Sequence, residues 1–343
     1  MLTANTRGRR ARARDDKPMG DDVANGRRIT SHGLYADVRG DAAAPALLFL
    51  HGGPGQGCYD FMTIQGDLIG RAVLLIGIDQ RGVDRSAPLP EDARLTVADL
   101  VEDCEAVRQA LGIERWAVAG QSFGGRLALR YAAAYPQHTS AVVFENPVWD
   151  LAASARAALP RLAAMLTERG RLCRGQAALA AAERERGAEP LREAYLAALS
   201  GLGGDREAFF VPDPGTRARL ARIRGSRAAD GQPDGAAGEE GSRRHHLAIV
   251  ADVAAAEPVQ HLLPGLKAPA LLIVGGCDPL TSREQRDAFR SAPHSEVLEF
   301  PAAGHFVHAD DPQRYASAVA GFVRSAAGDL SRTGTGPVPA TGS

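Results

Sequence analysis

Short, almost wholly apolar runs recur along this chain: 46–50 (ALLFL), 72–78 (AVLLIGI), 116–119 (WAVA), 141–144 (AVVF) and 270–274 (ALLIV). None alternates apolar with polar, so each predicts a strand covered on both faces, as in a parallel sheet. Segments 97–111 and 123–135 lie between these runs and carry helical periodicity. Late in the chain, 296–300 predicts a further strand, followed by a helix over about 312–323. Strand and helix in alternation predict an α/β fold with a mostly parallel, doubly wound sheet.

The alternation stops near Pro147 and resumes near Ala268. The stretch between is rich in Ala, Leu and Arg and is amphipathic, most clearly over 151–166 and 189–199. This pattern predicts a helical cap over 148–267, inserted into a core made of 27–147 and 268–327. Within the cap, 225–243 (GSRAADGQPDGAAGEEGSR) is dense in Gly, Asp and Arg and predicts a mobile loop. Residues 1–26 and 328–343 are polar and predict disordered tails.

Composition narrows the partners. At 343 residues and 45% hydrophobic, the chain can bury a sizeable core. A formal net charge of -1 argues for neither nucleic acid nor an anionic membrane. Basic residues are almost all Arg, with Lys only at 17 and 267, which is a compositional bias and not a binding signal. Arg7, Arg9, Arg10, Arg12 and Arg14 precede Asp15 and Asp16 with no apolar segment behind them, so a solvated tail and a cytoplasmic location are expected. No apolar run reaches the roughly 18 residues of a membrane span. Cys58, Cys104, Cys173 and Cys277 form no C-x-x-C pair, and no metal or organic cofactor is expected.

The strongest chemical signal is Gly120-Gln121-Ser122-Phe123-Gly124, between a predicted strand and a predicted helix. This is the G-x-S-x-G nucleophile elbow in the strand–turn–helix setting it requires. The turn is sharp, so small residues are needed on either side of the serine. The helix start behind it favours the negative charge that develops on attack. A serine hydroxyl needs a base, and the base needs an orienting acid. Asp278 follows the run 270–274, and His305 follows the strand 296–300, each at a strand's C-terminal end. Ser122, Asp278 and His305 therefore form a candidate triad, with His308 the competing base. Phe123 N–H and, in the loop His51-Gly52-Gly53-Pro54-Gly55, Gly53 N–H are the candidate oxyanion donors.

The motifs HGGPG (51–55) and DQRG (79–82), with Arg85-Ser86 and the elbow ending Gly124-Gly125, together resemble the prolyl aminopeptidase (proline iminopeptidase) branch of the α/β-hydrolases. The likeness covers roughly 28–147 and 268–325. It implies the α/β-hydrolase fold, a serine mechanism and a cap over the site. It also implies cleavage of an N-terminal aminoacyl amide in a small molecule or short peptide. Departures lie at Gln121 and Phe123 beside the serine, and at Asp84 where the family often has Gly. The family holds a substrate amine with cap glutamates near a Trp-Glu pair, which this cap lacks. Glu145 and Glu207 are the candidate amine anchors. The alternatives are an esterase, lactonase or thioesterase on the same scaffold, since fold does not set substrate, and a ligand-binding protein without turnover. Oligomeric state is not legible.

Overall fold

A computed structural model describes residues 27–28, 33–230 and 235–333. One sheet is formed by β1 (Arg27–Arg28), β2 (Tyr35–Arg39), β3 (Ala46–Leu50), β4 (Leu74–Asp79), β5 (Trp116–Gln121), β6 (Thr139–Glu145), β7 (Ala270–Gly275) and β8 (Ser295–Phe300). The order is β1-β2-β4-β3-β5-β6-β7-β8. β2 pairs antiparallel with both β1 and β4, and every pair from β4 to β8 is parallel.

Every residue of β3 to β7 is buried, which is why their sequences do not alternate. The side chains still divide by the period of two. Leu48, Leu50, Ile76 and Val118 pack on one face, under the helices Val97–Ala110 and Phe123–Ala134. Leu47, Phe49, Leu75 and Ala119 pack on the other, under Tyr59–Gly70 and Pro312–Thr333. The edge strand β8 is mostly exposed.

Between β6 and β7 the described residues are helices and loops, including Leu151–Glu168, Ala188–Gly201, Arg206–Phe210, Pro214–Gly225 and Gly235–Val250. Leu159, Leu162, Leu166, Leu199 and Phe209 give these helices an apolar cluster of their own, which Leu280 joins from the loop after β7.

Two local expectations need correction. The Gly-rich segment 225–243 is not a loop throughout: from Gly235 it is helix, while 231–234 lie outside the described residues. The reason is tertiary docking. A β-carbon at Gly241 would sit 2.7 Å from the Gly82 carbonyl oxygen, and one at Gly55 would sit 2.7 Å from that of Ser242. Glycines here let helix and loops touch backbone to backbone. His245 then donates Nδ1–H to the Arg81 carbonyl at 2.7 Å. The last helix also runs to Thr333, past the expected tail start at 328, continuing the helix that Val323 and Ala326 anchor on the sheet. The expected tails 1–26 and 334–343 lie outside the described residues.

The loop after β4 is tied on all sides. Asp79 accepts from Cys58 N at 2.9 Å and from Arg85 Nε at 2.6 Å. Arg81 makes a two-pronged pair with Asp103 at 2.6 and 2.8 Å. Asp84, at φ 44°, pairs with Arg227 of the insertion at 2.5 Å. The left-handed backbone at Asp84 suits Gly, Asn or Asp. Burial, and then the Asp79 charge, push the Asp84 carboxyl up from 3.8 to about 6, against the pull of Arg227.

A carboxyl raised on folding holds its proton more tightly in the native chain. Its ionisation therefore opposes folding, an effect absent below the ordinary value of 3.8 and fully present above about 6. The stability of Asp84→Asn relative to the parent should accordingly move in the variant's favour by about 2–3 kcal/mol as pH rises from 4 to 8. Thermal melts of both proteins across that range check the sign.

Candidate active site

Ser122 sits between β5 and the helix Phe123–Ala134 with φ 55° and ψ -118°, a backbone region that non-glycine residues seldom occupy. The surrounding contacts hold it there. A β-carbon at Gly124 would lie 2.0 Å from the Leu50 carbonyl oxygen, and one at Gly120 would lie 2.2 Å from the Gly124 oxygen. Ser122 N–H donates to the Glu145 carbonyl at 3.0 Å, and its own carbonyl accepts from Gly125 and Val148. Phe123 is the first residue of the helix, so its N–H has no acceptor within the helix.

His305 and Asp278 are brought together. His305 Nδ1 donates to Asp278 Oδ1 at 2.8 Å, and both side chains are almost fully buried. This bond leaves Nε2 as the free ring nitrogen. Asp278 also accepts from Thr281 N at 2.8 Å and Leu280 N at 3.2 Å. Burial would raise its pKa, but the nearby His305 charge and the hydrogen bonds from His305 and Thr281 outweigh it. The carboxyl is held below its ordinary value.

Ser122, Phe123, His305 and Gly53 all line one cavity of about 380 Å³. Gly53 follows β3, at φ 114°, and the Gly53–Pro54 bond is cis. Inserted helices close the cavity with Leu151, Leu196 and Leu199, so the chamber is bounded by both strand-end loops and cap. Among the described residues, no group of three or more His, Cys, Asp or Glu is placed to hold a metal ion, and no helix is long and apolar enough to cross a membrane.

Both candidate amine anchors fall elsewhere. Glu145, 1% exposed, turns away from the cavity and takes the His308 N–H at 3.0 Å and His308 Nδ1 at 2.8 Å. It also hydrogen-bonds the Tyr315 hydroxyl. Its position at the end of β6 points it to the face opposite the chamber, which the sequence order alone does not reveal. Glu207 pairs with Arg224 at 2.6 Å and lines the adjoining outer cleft, not the serine cavity. His308, the competing base, is thus Glu145's partner and not Ser122's.

Three positioning residues went unread in the sequence. Asn146 donates to the carbonyls of Gly304 and His305 at 2.9 and 3.1 Å, and its Oδ1 accepts from Gly275 N at 2.9 Å. It thereby ties the acid-bearing strand end to the histidine loop. The Phe210 carbonyl accepts His305 N–H at 2.8 Å. Gln121 Nε2 donates to the His305 carbonyl at 3.3 Å. A polar residue just past an apolar strand was the available signal for Asn146; Phe210 carried none, because it acts through its backbone.

Residues 45–172 match a family model described as the alpha/beta hydrolase fold. A proline iminopeptidase of Xylella fastidiosa (strain Temecula1) is 43% identical over 116 residues, 34% of this chain and 36% of that protein. One from Neisseria meningitidis serogroup A is 38% identical over 119 residues, again 34% and 36%. The chain thus spans about a third of the length of the curated relatives it matches. Among solved structures, the proline iminopeptidase of Mycobacterium smegmatis has a TM-score of 0.66 at 24% identity, covering 90% of this chain and 99% of that one. The enol-lactonase of Burkholderia xenovorans LB400 has 0.61 at 18% identity, covering 87% and 99%. At those identities the solved structures speak for the fold alone.

Asp278→Asn should lower turnover by about 10,000-fold, because an amide leaves the imidazole in the wrong tautomer. Asp311→Asn, which keeps a side-chain oxygen to accept from Arg314 N, should stay within about twofold in turnover. Steady-state rates of the two variants on one activated ester separate the two acids.

Glu145→Gln should leave unchanged the ratio of KM for free-amine over N-acetyl substrates. His308→Ala, by stripping a buried carboxyl of its partner, should destabilise the fold by about 3–5 kcal/mol. Denaturant unfolding and KM measurements check the pair.

Proposed function

We propose, for a chain whose fold is that of the α/β-hydrolases and which resembles proline iminopeptidases, a serine hydrolase working through an acyl-enzyme. The observation that carries this reading is the 2.8 Å bond between His305 and Asp278 at a cavity that Ser122 and Gly53 also line. Ser122 Oγ attacks the substrate carbonyl carbon while His305 Nε2 takes the hydroxyl proton. Phe123 and Gly53 N–H groups hold the resulting oxyanion. Collapse breaks the bond to the leaving group, which receives the proton from His305. Water then attacks the ester on Ser122 by the same route in reverse, and the acid product leaves.

The names of the curated relatives support an aminopeptidase-like version, with cleavage of an N-terminal aminoacyl amide. A second version, acting on a small ester, thioester or lactone, is favoured by one observation: among the described residues, no carboxylate lines the serine cavity. A buried ammonium without a partner is strongly disfavoured.

A fluorophosphonate probe should label the parent on Ser122 and leave Ser122→Ala unlabelled but folded. The variant should lose several orders of magnitude in turnover. Labelling at another residue, or full turnover by the variant, removes the serine assignment. Prolyl arylamides and simple aryl esters, each with free and acetylated amines, then separate the two versions. A strict need for the free amine selects the aminopeptidase, and indifference to acetylation selects the esterase.

A further inference from the structure

The charged side chains that line the serine cavity are all basic. Arg192 and Arg206 are there with the imidazoles of His246 and His305, and among the described residues no Asp or Glu joins them. Asp278 is sealed behind His305. The remaining wall is mainly apolar, with Phe123, Val148, Leu196 and Leu280 among its residues.

The two arginines are not equivalent. Arg192 is paired on its solvent side with Glu189, its Nε 2.9 Å from Oε2. Arg206 has no carboxylate within ion-pair distance among the described residues. It stands where the serine cavity meets the outer cleft of about 910 Å³, lining both. The acids of that cleft nearest the sheet are already matched: Asp60 and Glu207 with Arg224 at 2.7 and 2.6 Å, and Asp84 with Arg227 at 2.5 Å. Glu239 lines the cleft but not the serine cavity. Among the described residues, Arg206 is therefore a guanidinium without a counter-charge at the junction of the reaction chamber and its approach.

From this arrangement we infer that the chamber takes a small, largely apolar substrate bearing a carboxylate or a comparable monoanionic group, received by Arg206 with Arg192 beside it. The inference rests on the reading of Ser122 as nucleophile and adds the charge of what Ser122 attacks. The planar guanidinium fork matches a carboxylate in two parallel hydrogen bonds. A substrate anion would supply the pairing that the chain itself leaves open. The surroundings of His246 agree. Burial lowers its pKa, and the charges of Arg192 and Arg206 push the same way, with the Pro54 carbonyl as the one opposing influence.

The test uses the full-length protein and two matched sets of esters. One set varies charge on the acyl side: 4-nitrophenyl monoadipate, hexanoate and 6-aminohexanoate. The other varies it on the leaving group: phenyl hexanoates carrying a 4-carboxylate, no substituent or a 4-aminomethyl group. In at least one set the carboxylate should exceed the neutral ester in kcat/KM by about tenfold, and the ammonium should fall below it. Arg206→Gln should shrink that ratio toward one, and Arg206→Glu should reverse the order. Arg192→Gln should lower the ratio less, since Glu189 already offsets that charge. The same preparations are treated with the fluorophosphonate probe. Labelled Ser122 with no charge preference in either set, or with the ammonium preferred, overturns the anion inference and leaves the nucleophile in place. An active protein unlabelled at Ser122 overturns the nucleophile, and the anion inference falls with it.

Discussion

The site depends on one close backbone contact. The chain turns at Ser122 so tightly that the first turn of the following helix lies against the ends of β3 and β5. Room for a β-carbon is absent at both Gly120 and Gly124. Ser122 itself is held at a positive φ that an unconstrained serine would leave. Everything the chamber offers is arranged around this point. Leu50 supplies the carbonyl that Gly124 meets, and two residues later the same strand continues into the glycine loop that lines the cavity.

The opposite wall is assembled from parts distant in sequence. Asn146, at the end of β6, fastens both the strand end that leads to Asp278 and the loop that carries His305. The insertion fixes the histidine as well, through the Phe210 carbonyl. A helix of the insertion thus does two jobs: it closes the chamber and it positions the proposed base. Motion of that helix would alter the base as well as access to the cavity.

The substrate question divides along the same boundary. The curated relatives align over about a third of their length, and the family model ends at residue 172. Arg192, Arg206, Leu196, Leu199 and His246, which give the cavity its charge and much of its apolar wall, come after that limit. Resemblance over the first part of the sheet therefore bears on how a carbonyl would be attacked. It bears little on which molecule presents the carbonyl. Among the described residues, the lack of a cavity carboxylate and of a partner for Arg206 are features of the insertion.

Much of this was written in the order of residues. Apolar runs of four to seven residues supply strands covered on both faces, so the parallel sheet was legible from pattern alone. The elbow was legible too, because a turn without space for side chains demands glycine at fixed offsets from the serine. Asp278 and His305 could be nominated by their place after strands, since such loops gather at one edge of a parallel sheet. Tertiary structure decided the rest. Glu145 ends its strand facing His308 and Tyr315, and only the packing of the final helix determines that direction. The segment from Gly235 meets two loops backbone to backbone, through its own Gly241 and through Gly55 of the loop after β3, contacts that local propensity does not contain. The charge of the chamber follows from which helix faces meet above Ser122, and composition near neutrality holds no trace of it. Local chemistry depends on spacing along the chain, whereas specificity depends on which distant surfaces touch, and those contacts form only when the chain is folded.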